Sequence, residues 1–513
     1  MTSRLVLLAA FLLGAAPSFA QSTPPPEPPA DWHLLDPDAA GVVGISLDEA
    51  YALLGDRAPE AVVVAVLDSG VDIDHADLAP VLWVNDDEVA GNGLDDDENG
   101  YVDDVHGWSF LGNPSGENVE GDSWELARLV ALCRAGTPHP AYPDCEALEA
   151  DLEAERAKYA PQAAQLRQIL PIVQDADAQL REAFGDDYDP EAVDPGGDAR
   201  LGQAVSIMRQ LAAQGAGLAE LEAAVEQLTQ ILDVKLDPTY DSRHIVGDDP
   251  NDLTERFYGN ADVEGPNANH GTGVAGLIGA ARGNDLDIDG IAPVQIMAVR
   301  TVPGGDERDK DVANAIRYAV DNGARIINMS FGKAYSPDKA VVDEAVAYAV
   351  ERGVLLVHAS GNDGADIDIE DNFPNRFFLD GTASEGWLEV GASAASEDAL
   401  AASFSNYGRE RVDLFAPGAG VTSLKRNGGT QTANGTSFAA PIVSGVAALL
   451  MAYFPDLSAE EVRQILLDSA VRFEADVPAP GSGEATPFAD LSVTGGVVNA
   501  AAAVRLALER TGE

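Results

Sequence analysis

Three short stretches carry side chains that together could perform nucleophilic chemistry. Asp68 ends the apolar run "AVVVAVLD", His270 opens "HGTGVAGLIGA", and Ser437 stands in "NGTSFAAP" ahead of an almost wholly apolar stretch. A serine hydroxyl is a weak nucleophile until a base takes its proton, and the usual base is a histidine held in one tautomer by a carboxylate. Attack on a carbonyl also needs donors for the developing oxyanion. Asn362, which follows a glycine in "HASGND", is one candidate donor. The backbone N–H of Ser437, at a helix N-terminus, is a second. Each piece alone has a plainer reading: a capped core helix, a structural histidine, a turn asparagine. Their joint presence in the order Asp, His, Asn, Ser points to acyl transfer.

Such residues need a scaffold that brings distant stretches together. Continuous apolar runs recur at 61–68, 295–300, 324–332, 353–362, 386–393 and 412–418, the pattern of strands buried on both faces. Between several of them lie amphipathic stretches, including "DKDVANAIRYAVDNG" and "DKAVVDEAVAYAVERG", the latter stopping at Gly353. Alternating strands and helices predict an α/β fold with a mostly parallel sheet, in which functional residues gather beyond the carboxyl ends of the strands. From about Glu117 to Val263 the pattern changes to helical composition without convincing strands, with breaks expected at Pro171 and at "DDYDPEAVDPGGD". This block reads as an inserted helical hairpin or small bundle. Its two cysteines, Cys133 and Cys145, could close a short loop in an oxidising compartment or remain two free thiols.

The first 20 residues, with one arginine, an apolar run and small residues at Ser18 and Ala20, read as a signal peptide cleaved after Ala20. That run is too short to span a bilayer comfortably, and no stable membrane insertion is expected after cleavage. A Pro-rich linker follows over 21–32. Export is therefore expected, to a secreted, periplasmic or cell-surface location. With 86 acidic against 31 basic residues and a net charge of −55, binding to nucleic acid through a basic surface is excluded. Bound divalent cations would relieve the self-repulsion. One loop has spacing suited to this: "DDDENGYVD" sets Asp95, Asp97, Asn99 and Asp103 so that alternate oxygens can converge on one ion, with Gly100 for the sharp turn; the plainer reading is an acidic turn in an acidic protein. The twelfth position of that loop is His106 rather than Glu, unlike a helical calcium hand.

The chain resembles the subtilisin-like serine proteases. "VAVLDSGVDIDHADL" resembles the family's Asp block, "HGTGVAGLIGA" its His block and "GTSFAAP" its Ser block. "NMSFG" and "ASGND" resemble the segments beside its substrate cleft, and "GGVVNAAAAV" its last core helix. The resemblance implies a three-layer subtilisin-like fold with a large helical insertion. Together with the compositional readings above, it divides the chain into a signal peptide over 1–20, a linker over 21–32, a catalytic domain over 33–116 and 264–507, and the insertion over 117–263. It implies Asp68 as orienter, His270 as general base then acid, Ser437 as nucleophile and Asn362 as oxyanion donor. Ser437 would then cap its helix, with Pro441 in the first turn where no N–H bond is lost. Ser330, Phe331 and Gly332, with Ala359, Ser360 and Gly361, match the strands flanking the substrate backbone, and Asp363 stands at the pocket rim.

The resemblance also implies structural calcium, with Asp77 and Asn284 as ligands and backbone carbonyls completing the shell; no organic cofactor is expected. Substrates would be proteins or peptides, and a partner of the insertion is open. Gly273 stands where the family usually repeats a histidine, and only 48 residues separate the expected cleavage point from Asp68 (68 − 20), too few for the family's folded propeptide. A competing reading is a catalytically silent, calcium-stabilised binding module. The presence of all four of Asp68, His270, Asn362 and Ser437 argues against it. An α/β-hydrolase esterase would instead order its triad Ser, acid, His around G-x-S-x-G.

Overall fold

The computed structural model describes residues 28–512, so the expected signal peptide and residues 21–27 of the linker lie outside the described residues. The chain forms two compact units, one made of Leu126–Tyr240 and the other joining Pro26–Glu125 to Asp241–Glu513.

The strands of the larger unit are β1 (Val62–Asp68), β2 (Gly107–Ser109), β3 (Val294–Arg300), β4 (Ile326–Met329), β5 (Leu355–Ala359), β6 (Trp387–Ser393), β7 (Leu414–Pro417), β8 (Ala419–Leu424), β9 (Thr430–Asn434), β10 (Val471–Arg472), β11 (Asp476–Pro478), β12 (Ala485–Pro487) and β13 (Gly496–Val497). Among the described residues, nine of them form one sheet in the order β10-β13-β7-β6-β5-β4-β1-β3-β2. Its pairings are parallel except that of β10 with β13. The register sets Asp68 beside Arg300 and Met329 beside His358, so the carboxyl ends of β1, β4 and β5 line up along one edge.

Helices outside the short turns are α1 (Leu47–Leu54), α2 (Glu125–Arg134), α3 (Cys145–Phe184), α4 (Ala199–Ala212), α5 (Leu218–Gln230), α6 (Asn269–Gly279), α7 (Asp309–Asp321), α8 (Lys339–Glu351), α9 (Thr436–Tyr453), α10 (Ala459–Ser469) and α11 (Ala500–Thr511). Alternate residues of the central strands face opposite layers. Val64 and Val66 join Val357, Val390 and the apolar length of α9 in one cluster. Ala65 and Leu67 join Met329, Leu356, Ile316 of α7 and Val346 of α8 in the other. This is the three-layer α/β arrangement expected of doubly covered parallel strands.

The smaller unit is helical. Cys133 at the end of α2 and Cys145 at the start of α3 form a disulfide with Cα atoms 5.6 Å apart, which resolves the choice that the sequence leaves open. Leu152, Leu166, Val173 and Leu180 of α3 pack in a buried row, with Leu211 of α4 and Leu221 and Leu228 of α5 also buried. The Arg156 guanidinium donates to the carbonyls of Leu232 and Leu236 and closes the end of α5 onto α3. The break expected at Pro171 does not occur. α3 runs continuously through both Pro161 and Pro171, each on its exposed side. A proline removes one N–H and crowds one carbonyl; in a 40-residue helix with a buried row on the other side, that local cost is outweighed by packing. A break falls instead at Gly215–Gly217, between α4 and α5.

α9 is the core helix, with 16 of its residues buried. Leu449 is fully buried in its cluster. Leu449→Ala should therefore cost about 2–5 kcal/mol, read as a lower midpoint of chemical unfolding.

Candidate active site

Asp68 is the last residue of β1 and is 2% exposed. Its Oδ1 accepts the N–H of Ser69 at 2.7 Å, and its backbone carbonyl accepts from Thr301 and Val302 beyond β3. His270 lies in the first turn of α6, and its Nδ1 meets Asp68 Oδ1 at 2.8 Å and Oδ2 at 3.0 Å. This contact requires α6 to press on the strand end. A Cβ on Gly271 would stand 2.2 Å from the Gly70 carbonyl oxygen, so only glycine permits the approach. Burial pulls the His270 imidazole down, while the Asp68 charge and hydrogen bond push it up; the net shift is upward. With Nδ1 committed to the carboxylate, Nε2 is the nitrogen left for proton transfer.

The His270 ring lies edge-on to Phe438, centroids 5.6 Å apart, which brings it to the start of α9. Gly273 contributes to this: a Cβ there would stand 3.1 Å from the Phe438 ring. Ser437 does not cap α9, contrary to the sequence expectation. Gly435 is the cap and Ser437 is the second helical residue. Its N–H still belongs to the first turn, where N–H groups have no intrahelical acceptor. Pro441 is likewise deeper than expected, at the sixth helical position. It cannot supply an N–H to the Ser437 carbonyl four residues earlier. That carbonyl instead accepts from the Ser330 hydroxyl at 2.9 Å. Ser437 Oγ in turn donates to the Ser330 carbonyl at 3.1 Å.

Asn362 follows β5 on an exposed turn, and its Oδ1 accepts from the Thr436 N–H at 2.8 Å and from the Thr436 hydroxyl at 3.2 Å. Fixing Oδ1 in this way leaves Nδ2 as the donor end of the carboxamide, one residue from Ser437. Thr436, which the sequence reading did not single out, is thus the anchor of Asn362; a threonine just before the serine is its only signal.

Of the residues expected along the substrate, Ser330, Ala359 and Ser360 bury their side chains. Phe331 packs partly against the α8-side cluster, its ring 6.3 Å from that of buried His358. Gly332 faces the carboxamide of Asn372, which also donates to the Ser360 carbonyl at 3.1 Å, so Asn372 spans the two flanking segments. The Asp363 N–H donates to Asn406 Oδ1 at 2.9 Å, and Asp363 itself is exposed.

Among the described residues, two acidic groups have geometry suited to a cation. Asp77 is fully buried, yet its carboxylate meets only neutral donors: Asn284 Nδ2 at 2.8 Å and the N–H groups of Asp287 and Ile288. His75 and Asp287 complete this cluster, and His75 Nε2 is buried without a hydrogen-bond partner. In the second loop, Asp95 and Asp97 accept from the Asn99 N–H, and Asp95 also from the Gly100 N–H. Asp103 is not drawn in with them; its carboxylate accepts from the N–H groups of Asn92 and Gly93. Glu88 takes that place, with carboxylate oxygens of Glu88, Asp95 and Asp97 converging within 4.8 Å. Glu88 lies outside the regular spacing of the loop, so no local pattern marks it.

The subtilase family model matches residues 60–494, and the chain belongs to that family. Alkaline elastase YaB of Bacillus sp. (strain YaB) is 36% identical over 238 residues, 46% of this chain and 55% of its own. The cell wall-associated protease of Bacillus subtilis (strain 168) is 33% identical over 254 residues, 49% of this chain and 26% of its own. Subtilisin BL of Lederbergia lenta is 36% identical over 203 residues, 39% of this chain and 70% of its own. The chain thus spans about half the length of the elastase, and less of the cell wall-associated protease.

Asp68 raises the His270 pKa and burial lowers it, so Asp68→Asn should drop that pKa below its ordinary value. The check is the imidazole proton shift against pH by NMR. The wild-type ion pair contributes stability below the unfolded pKa of about 6.5 and loses it as pH rises through the higher folded pKa.

Proposed function

We propose that this chain is an exported serine endopeptidase that hydrolyses peptide bonds through an acyl-enzyme. The observation that carries the reading is the convergence on the first turn of α9. His270 is hydrogen-bonded to buried Asp68, its ring lies beside Phe438, and Asn362 is anchored on Thr436. Subtilase membership and the similarity to proteases support the reaction class.

In the proposed mechanism, Ser437 Oγ leaves the Ser330 carbonyl and turns to His270 Nε2. His270 takes its proton as Oγ attacks the scissile carbonyl carbon. Asp68 holds the tautomer and stabilises the imidazolium. Asn362 Nδ2 and the Ser437 N–H donate to the oxyanion. His270 then protonates the leaving amine, and water, deprotonated by the same imidazole, releases the acid. Because the base must be neutral, the rate should rise with pH through the raised His270 pKa. The backbones of Ser330–Gly332 and Ala359–Gly361 would flank the substrate chain. Export, supported by the similarity to a cell wall-associated protease and by the N-terminal pattern, fits the Cys133–Cys145 disulfide.

The test is a fluorescent serine-hydrolase phosphonate together with unfolded casein, applied to the mature chain in calcium. Labelling and cleavage are expected, and both should vanish in Ser437→Ala. Asn362→Ala should keep the fold and lose roughly 10²–10³ in kcat. A folded wild-type protein that neither labels nor cleaves would overturn the proposal.

We also propose calcium at the Asp77–Asn284 loop and at the Glu88–Asp95–Asp97 loop. Calcium takes oxygen ligands in flexible geometry, which these carboxylate, carboxamide and carbonyl groups can supply. When bound, the ion would neutralise carboxylates that now meet only N–H donors. A ligand that binds only the folded state stabilises it by about 2.7 kcal/mol at 100 times its Kd. Chelation should therefore lower Tm, and Asp77→Asn should shrink that drop, as read by scanning calorimetry with and without EGTA.

A further inference from the structure

The helical unit of Leu126–Tyr240 has an apolar groove that none of the chemistry above uses. It is a cavity of about 170 Å³ lined by Leu166, Ile169, Ile172 and Val173 of α3, Ile207 and Leu211 of α4, and Leu221 of α5. Leu166, Leu211, Val173 and Leu221 form a buried floor, whereas Ile172 is 56% exposed at the lip. The α3 lining recurs at 166, 169 and 173, and the α4 lining at 207 and 211. These are the spacings of single helix faces. Two such faces side by side leave a furrow into which the apolar ridge of a third helix fits. Gln210 and Gln214 stand along its α4 side as polar edges.

Charge around the furrow selects the occupant. Residues 126–240 carry 20 acidic and 9 basic side chains. Arg167 and Arg209, which stand between lining residues in the sequence, are engaged elsewhere. Arg167 donates to Thr229 and Asp233, and Arg209 to the carbonyls of Pro190, Glu191 and Val193. The neighbouring carboxylates meet only neutral donors. Asp175 accepts from Gln179, Glu220 from the Gly217 N–H, and Glu222 from Gln174. An apolar floor in a unit with so large an acidic excess, with exposed carboxylates adjacent in sequence to its lining, complements a helix that is apolar on one face and basic on its flanks.

We propose that this groove docks a cationic amphipathic helix of another polypeptide, its apolar ridge in the furrow and its lysines or arginines over Asp175, Glu220 and Glu222. The site is independent of Ser437 and His270, so its test does not depend on proteolysis.

The full mature chain carrying Ser437→Ala, which spares the probe, is titrated with a fluorescent leucine–lysine amphipathic peptide of about 18 residues. Saturable binding is expected, weakening as salt screens the margin. Ile172→Asp at the lip and the pair Asp175→Asn with Glu222→Gln should each weaken it at least about tenfold. Both sets lie on exposed side chains, and unchanged circular dichroism verifies the fold; the charge pair keeps the test decisive should Ile172→Asp perturb packing. Any of three results would overturn the proposal: no saturable binding, equal binding of a leucine–glutamate peptide, or affinity indifferent to both variants. A dimer in sedimentation that Ile172→Asp dissolves would assign the groove to a second copy and equally overturn it.

Discussion

The reciprocal hydrogen bonds between Ser330 and Ser437 fix the start of α9 against the sheet edge. Ser330 Oγ donates to the Ser437 carbonyl, and Ser437 Oγ donates to the Ser330 carbonyl. The first bond exists because Pro441 leaves that carbonyl without its helical donor. Proline in the second turn thus converts a loss within α9 into a tie between α9 and the sheet edge. Thr436 makes the equivalent tie to the end of β5 through Asn362. The start of α9 is pinned to two adjacent strand ends. The rest of the helix is held by burial between sheet and neighbouring helices.

Against that fixed point, β1 and α6 deliver the other two groups. Parallel register brings the end of β1 beside the ends of β3 and β4, so Asp68 arrives at the same edge as Ser330. A buried carboxylate needs compensation, which Ser69 and the imidazole of His270 provide. The electrostatic need of Asp68 and the position of His270 are therefore the same interaction. Glycines at 271 and 273 remove the side chains that would hold α6 away from Asp68 on one side and from Phe438 on the other.

Much of this was legible in the sequence, because the strands are buried on both faces and such strands read as continuous apolar runs; β1 and β4 to β7 lie within the runs recognised there, and β3 begins one residue before its run. The residues of the Asp68–His270 pair stand in short stretches whose types already imply chemistry. What escaped was decided by contacts between distant segments. The helical position of Ser437 depends on where Gly435 turns the chain. The passage of α3 through Pro171 depends on a packed face that a local proline rule does not see. In the acidic loop, regular spacing marks Asp103, but its carboxylate is recruited by the turn at Asn92 and Gly93, and Glu88 fills the space from outside the pattern.

The charge imbalance has a structural distribution that composition alone does not reveal. Many of the scarce cations are drawn into the interior of the larger unit. Arg243 and Lys310 compensate Asp248, and Arg243 also binds Asp311. Arg376 and Arg463 compensate Asp413, which burial nonetheless pushes above the ordinary carboxylate range. Lys333 bridges Glu125 and Asp309. A buried carboxylate without a partner is costly, so these positions have first claim on basic side chains. The Asp77 loop, the Glu88–Asp97 loop and the margin of the helical groove are left with N–H and carboxamide donors alone. Hydrogen bonds orient such carboxylates but do not cancel their charge. Cations from outside the chain would neutralise them, and this is what the proposed metal sites in the loops and the proposed basic helix at the groove have in common.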